Sequence, residues 1–353
     1  MQALNARRVR LKQLLLTGGL TGAVALAAAV PAATGAPAAG LPKAAKGAKL
    51  QLVASGVTTP TAFAFGDGHV FVSDGTTPPA KGGGVYVLEG GAAVLVPGSP
   101  LLSFGVTFHK GILYVSGATL GAHGPSWHLF AWSGWNGVTF TKQTVLYTAP
   151  PGIFLNGVAF GADGRLYTGV DVGLTNDHGP KKGLLYDVLS FNAAGKGMKV
   201  FATGIRQPWQ MAFPKGSSSP FITALGQDKP KSVFKTVPDF ILRLRAGQNY
   251  GFPTCNWIVT AACTTFATPF RFLPPHTDPG GLGIIGNRLY LSEFGFVRTA
   301  EVQSMPLSGG PLKTLLTGFK HESFIGLGTN GGWVYVGEPA TVPGTGRVFR
   351  VKP

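Results

Sequence analysis

Carboxylates are scarce in this chain: 14 Asp and Glu stand against 30 Lys and Arg in 353 residues. Charged residues are few altogether, at 12%, while hydrophobic ones make up 44% and recur throughout, which excludes a disordered chain. Cysteine is nearly absent. Cys255 and Cys263 are the only two, eight positions apart in a Pro/Thr/Ala-rich stretch. With no second pair of ligands, a structural metal site built on them is disfavoured, and in an exported chain they are expected to form a loop-stapling disulfide. Beyond residue 40 no apolar run is long enough to cross a bilayer, so no membrane span is expected after the leader. An aromatic-basic motif is also missing, which argues against nucleic acid as a partner.

The first 39 residues read as a targeting segment. Arg7, Arg8, Arg10 and Lys12 precede an apolar, small-residue run over residues 14–30, followed by Ala/Pro/Gly-rich sequence with several small-residue cleavage points. The string Ala6-Arg7-Arg8-Val9-Arg10-Leu11-Lys12 is similar to a twin-arginine export signal, with Arg10 where an apolar residue is usual. A secreted or periplasmic protein is the expectation, an ordinary secretory signal being the alternative. Removing those four basic residues from a net charge of +16 leaves +12 on the rest. Such a balance favours anionic partners such as an acidic cell-surface polymer; a solvated basic surface with no partner is the alternative.

Glycine and proline are abundant, 53 and 27, and suit many short strands joined by tight turns. The decisive signal is repetition. An apolar alternation, a Gly/Asp/Asn turn and a second alternation recur at 62–74, 105–116, 157–169, 210–227, 281–295 and 326–338. A further pair of strands follows most of these, as at 84–88 with 93–96 and at 129–132 with 144–147. Four strands in roughly fifty residues predict an all-β, six-bladed β-propeller over residues 49–353, with 40–48 as linker. The last unit, ending near 347–351, is one strand short, and residues 50–54 are a spare strand. Pairing them closes the ring and hides two sheet edges.

In such a ring the loops between units, and the ends of the second strands, converge on one mouth of the axis. Asn156, Arg206, Gln207, His276 and residues 320–323 belong to the first group; Asp74, Asp171, Gln227, Asp228, Glu293 and Glu338 belong to the second. Repeated acidic endings suit a hard cation such as Ca²⁺. The competing reading is that these carboxylates cap turns. Trp127, Trp132 and Trp135 make an aromatic-rich segment suited to a sugar or glycan.

Residues 200–300 carry a resemblance. Gly204-Ile205-Arg206-Gln207-Pro208, then Pro238-Asp239-Phe240-Ile241, then Gly247-Gln248-Asn249-Tyr250-Gly251-Phe252-Pro253 resemble motifs of the glucose/sorbosone dehydrogenase family, six-bladed propellers dependent on pyrroloquinoline quinone (PQQ). Pro274-Pro275-His276 and Leu291-Ser292-Glu293-Phe294-Gly295 extend the match. The resemblance implies an oxidoreductase acting on a sugar or alcohol. It implies that Arg206 and Gln207 hold the quinone and that the carbonyls of Gly226 and Gln227 help to hold Ca²⁺. The family's base, a histidine in the third unit's mouth loop, has no counterpart between 152 and 157; His276 or His321 would have to replace it. Loss of a base costs roughly 10²–10⁴-fold in rate. A second expectation therefore stands beside the first: a non-catalytic propeller binding glycan or protein at its mouth.

Overall fold

The computed structural model describes residues 40–76, 82–121, 124–171, 181–227, 237–258, 263–293, 300–319 and 326–353. Among them, regular structure consists of strands alone. The short β1 (Lys43–Ala44) and the nine-residue β2 (Lys49–Val57) come first, followed by a run of four, β3 (Pro60–Gly66), β4 (His69–Asp74), β5 (Gly84–Glu89) and β6 (Ala92–Leu95). The second run is β7 (Leu102–His109), β8 (Ile112–Gly121), β9 (Gly124–Trp135) and β10 (Phe140–Thr148). The third is β11 (Phe154–Phe160), β12 (Leu166–Asp171), β13 (Val188–Phe191) and β14 (Lys199–Ala202). The fourth is β15 (Pro208–Ala212), β16 (Phe221–Ala224), β17 (Asp239–Arg243) and β18 (Arg271–Leu273). The fifth is β19 (Pro279–Ile285), β20 (Arg288–Glu293), β21 (Glu301–Pro306) and β22 (Lys313–Thr317). The chain ends with β23 (Leu327–Asn330), β24 (Trp333–Glu338) and β25 (Gly346–Lys352).

Runs two to five are antiparallel sheets in chain order, and β1 adds a fifth strand to the last of them through Lys43↔Thr317 and Ala44↔Leu316. The stretch expected as a linker thus contributes a strand. The other eight strands form one closed ladder, β2-β25-β24-β23-β3-β4-β5-β6. This differs from six separate sheets, and the cause is local. Two antiparallel four-strand halves are joined by two single parallel pairs, Leu327↔Ala62 and Ser55↔Ala92. The spare strand β2 lies beside β25 as expected, from Lys49↔Lys352 to Val57↔Gly346.

Apolar side chains gather into six clusters among the described residues, one between each neighbouring pair of four-strand runs. The last joins Val57, Tyr335 and Val348 to Phe63 and Val72, so the circuit returns to its start. Second strands are covered on both faces, as in β12, where all six residues are buried. Outer strands face water, as in β10, where five consecutive residues are exposed. The β3–β4 and β7–β8 turns place both central residues at positive φ, Asp67 at 49° with Gly68 at 78° and Lys110 at 50° with Gly111 at 76°. That geometry matches the strands' right-handed twist.

No helix among the described residues is long and apolar enough to cross a membrane. Cys255 and Cys263 are bridged, with Cα atoms 5.5 Å apart. Trp127 and Trp132, read as glycan contacts from sequence, are core residues at 3% and 1% exposure. Trp135 packs edge-on against Phe71, with centroids 5.2 Å apart.

Candidate functional site at the mouth

The first strand of each run starts, and the second strand ends, at the same end of the molecule; this end is the mouth. Five of the six first strands carry a register shift within their opening residues, beside Thr61, Phe104, Asn156, Gln210 and Gly281. A bulge rotates the side chains at its site out of the regular alternation. Here it turns polar groups toward the neighbouring run.

Thr61 Oγ1 donates to Ser103 O at 3.0 Å, and Ser116 Oγ donates to the Asn156 carbonyl at 2.5 Å. Asn156 Nδ2 donates to Pro208 O at 2.6 Å, and Thr223 Oγ1 donates to Gly280 O at 2.8 Å. Gly326 N donates to Pro60 O at 3.0 Å and closes the circuit. Gln210 reaches furthest: its Nε2 donates to Phe104 O at 2.6 Å, from the fourth run past the third to the second. A methyl group on Gly157 would stand 2.2 Å from Gln210 Oε1, so only glycine lets this amide pass. The rings of Phe104 and Trp209 lie 5.1 Å apart beside it. On the far side of Gln210 lies an axial cavity of about 350 Å³, lined by the first strands of all six runs.

The mouth's polar side chains form one continuous row across the third, fourth and fifth runs. Asp171, 6% exposed, accepts from Asn156 Nδ2 at 3.1 Å and from Gln207 Nε2 at 3.2 Å, both on Oδ2. Arg206, equally buried, donates through Nη1 to Gln207 Oε1 and to the Gly226 carbonyl. Gly226 N donates to Asp239 Oδ1 at 2.7 Å, and Asp278 N donates to Asp239 Oδ2 at 2.7 Å. Gln227 Oε1 accepts from Asn256 Nδ2 at 3.0 Å. Asn156 Oδ1 is fully buried with no hydrogen-bond partner.

Two of the sequence motifs meet here and set Arg206 in place. The segment 247–252 zips onto 203–204: Thr203 N donates to Gln248 O, Tyr250 N to Thr203 O and Phe252 N to Gly204 O, at 2.9–3.0 Å. Gly204 sits at φ 75°, and a methyl group on it would stand 2.1 Å from Asn249 Oδ1. The glycine is required on both counts.

The structure brings Arg206, Gln207, Gly226 and Gln227 together as expected from their positions. His276 lies on the turn before β19, buried to 5% exposure and at φ 57°. His321 and Asp228 lie outside the described residues. Two of the other acidic endings, Asp74 and Glu338, are committed locally. Asp74 accepts from Thr58 N, Thr59 N, Thr76 N and Thr76 Oγ1 at 2.5–3.2 Å. Glu338 is paired with Arg347, 2.6 Å apart. Among the described residues no group of three His, Cys, Asp or Glu is arranged to hold a metal ion.

The void beside Arg206 is about 20 Å³, lined by Phe240, Tyr250, Phe252 and Trp257, and has room for one water, so a tricyclic quinone would have to lie outside it. The Gly226 carbonyl, expected to face Ca²⁺, accepts from a guanidinium, and a second cation beside that charge would be repelled.

Among solved structures, the chain superposes on a Thermus thermophilus oxidoreductase described as a glucose dehydrogenase. The TM-score is 0.67, identity 19%, and the match covers 86% of this chain and 100% of the other. A second glucose dehydrogenase gives 0.66 at 14% identity over 86% and 98% of the two chains. A Trichoderma reesei enzyme of carbohydrate-active family AA12 gives 0.69 at 15% over 88% and 97%. The likeness is one of fold. No protein-family model and no curated protein sequence matches the chain. The chain thus has the all-β fold of glucose-dehydrogenase-like oxidoreductases, and its own mouth must carry any statement about chemistry.

Proposed function

We propose that the chain is an exported six-bladed β-propeller of the sugar-dehydrogenase type whose mouth binds a sugar or glycan without oxidising it. The closed eight-strand ladder is read as the first and last blades, linked where their strands touch. The observation that carries the reading is the row Asn156–Asp171–Gln207–Arg206–Gly226. Planar amides and a carboxylate held by two N–H donors are the groups that recognise vicinal hydroxyls. Phe104, half-buried near the start of β7, supplies an apolar face at the same mouth. Quinone chemistry is unsupported: Arg206 is turned inward, and residues 152–157 offer no histidine to accept a hydroxyl proton.

Titration calorimetry with a panel of mono- and oligosaccharides tests the binding half. Asp171→Asn is expected to weaken the best ligand at least about tenfold, as loss of a charge-assisted bond implies. An unchanged affinity refutes the assignment of the mouth. The catalytic half is tested by mixing the protein with quinone, Ca²⁺, an artificial electron acceptor and the same panel. No acceptor reduction is expected. Turnover abolished by His276→Ala would replace this reading with that of a quinone-dependent dehydrogenase.

A further inference from the structure

Folding separates the two signs of charge. Of the twenty described Lys and Arg only Arg206 is buried, leaving nineteen at the surface; of the eleven described Asp and Glu seven are buried, leaving four. All seven buried acids stand at the mouth: on strand ends, as Asp74 and Glu338 do, or just before a strand that starts there, as Asp187 and Asp278 do.

The opposite end, where first strands turn into second strands, is basic. Lys110 lies in the β7–β8 turn and Lys215 in the β15–β16 turn. Lys142 starts beside Ser133, Lys199 beside Ser190 and Lys313 beside Ser304, each register carrying back to that end. Lys352 stands directly opposite Lys49 across the β2–β25 pair. All are exposed, and none of them enters an ion pair among the described residues. Like charges placed directly opposite on neighbouring strands repel. Three acids share this end: Glu89 lies 3.7 Å from His69, Asp163 accepts from Tyr167 Oη at 2.7 Å, and Asp67 stands in the β3–β4 turn.

We propose that this turn end is a docking surface for a polyanionic glycan, one carrying carboxylate or phosphate groups along its length, and that docking leaves the mouth facing outward. The cations are distributed over five of the six four-strand runs, which suits an extended polymer rather than one small anion. A lipid surface fits less well. Among the described residues the large apolar side chains exposed in this end's turns are Val138 and Met198, with Val94 and Val200 on the outer strands that start there, too scattered to enter a bilayer. The proposal does not depend on what the mouth binds.

Binding of the full chain to polygalacturonate and to poly(glycerol phosphate) at 0.05–0.3 M salt (roughly the range over which counterion release is measurable) is the test. The variant K142E/K215E is compared with K43E/K182E, which alters two exposed lysines near the mouth and changes the net charge by the same amount. Affinity is expected to fall linearly with log salt, and the turn-end variant is expected to lose at least about tenfold while the control loses less than about twofold. Equal losses in both variants would reduce the effect to diffuse net charge and overturn the proposal. So would failure to bind either polymer, or preferential binding to phosphatidylglycerol vesicles. Unchanged thermal unfolding of both variants excludes misfolding as the cause, because every substituted lysine is exposed.

Discussion

Asn156 is the residue whose removal reports most directly on the mouth. Its Nδ2 serves two acceptors, the Pro208 carbonyl at 2.6 Å and the Asp171 carboxylate at 3.1 Å, and its side chain is fully buried. A neutral hydrogen bond contributes about 1 kcal/mol and one to a carboxylate about 1.5–3 kcal/mol. Asn156→Ala also removes Oδ1, a buried acceptor with no donor, and returns about 1 kcal/mol of desolvation. The net destabilisation is about 1.5–3 kcal/mol. At about 2.1 cal/mol/K per residue, roughly 300 folded residues give about 1.5 °C per kcal/mol, so Tm should fall by about 2–5 °C. Asn156→Asp sharpens the test. It keeps the shape but replaces an N–H donor to Asp171 by a second carboxylate, raising the folded-state pKa of the pair above the unfolded value near about 4. Stability would then be retained below about pH 4 and lost progressively as pH rises through the raised folded pKa. Calorimetric or circular-dichroism melts from pH 3.5 to 8 measure both. A Tm within about 1 °C of wild type for Asn156→Ala, or an Asn156→Asp profile parallel to wild type, would refute the role assigned to this amide.

Other outcomes follow from single contacts. Tyr86 and Tyr250 are each pushed up to about 12, chiefly by burial, with the Asp74 carboxylate adding to the effect at Tyr86. A folded pKa above the unfolded value near about 10 stabilises the fold below pH 10, and that stability is lost as pH rises toward 12. Phenolate absorbance should therefore appear together with loss of tertiary signal rather than before it. Gly281→Ala places a methyl group 2.2 Å from Leu327 N, between backbones of the fifth and sixth runs, so Tm should fall by several degrees or soluble yield collapse. A thiol reagent should find no free thiol in the denatured, unreduced protein. Closing the eight-residue separation between Cys255 and Cys263 contributes about 2–3 kcal/mol in the chain-entropy view, so reduction should lower the denaturant midpoint measurably.

The ring was readable in the sequence because its evidence is periodic and local. Hairpins such as 157–169 announce themselves by alternation around Asp163-Gly164, and the missing strand after 351 is matched by the spare one at 50–54. The mouth was readable only as a set of positions. Arg206 and Gln207 lie at the mouth, and the segment 247–252 binds the backbone just before them. What the side chains do there was not readable, because bulges decide it. Asn156, Gln210 and Phe104 each sit at a register shift, and alternation counted along the chain cannot say when the count slips by one. Trp127 and Trp132 failed as glycan contacts for a related reason. Both rings leave the second sheet for the clusters it shares with its neighbours, Trp127 toward the third run and Trp132 toward the first, which the composition of that segment alone does not reveal.

The acidic residues show why the same letters supported two readings. Asp74 was legible as a ligand for a cation and equally as a cap, since both roles ask for a carboxylate at a strand end. The structure decides for a cap there: Asp74 accepts three backbone N–H groups, and Asp239, which sequence did not single out as a ligand, accepts two. This choice has a consequence beyond the mouth. A carboxylate satisfied by backbone donors neutralises no lysine, so the few acids of a chain already poor in them are withdrawn from the surface as it folds. Glu338 and Asp187 each take a basic side chain with them in an ion pair. The cations at the turn end are therefore left to find their counter-charge outside the molecule, and the sign and strength of that demand were set by where seven carboxylates went, not by how many lysines the sequence carries.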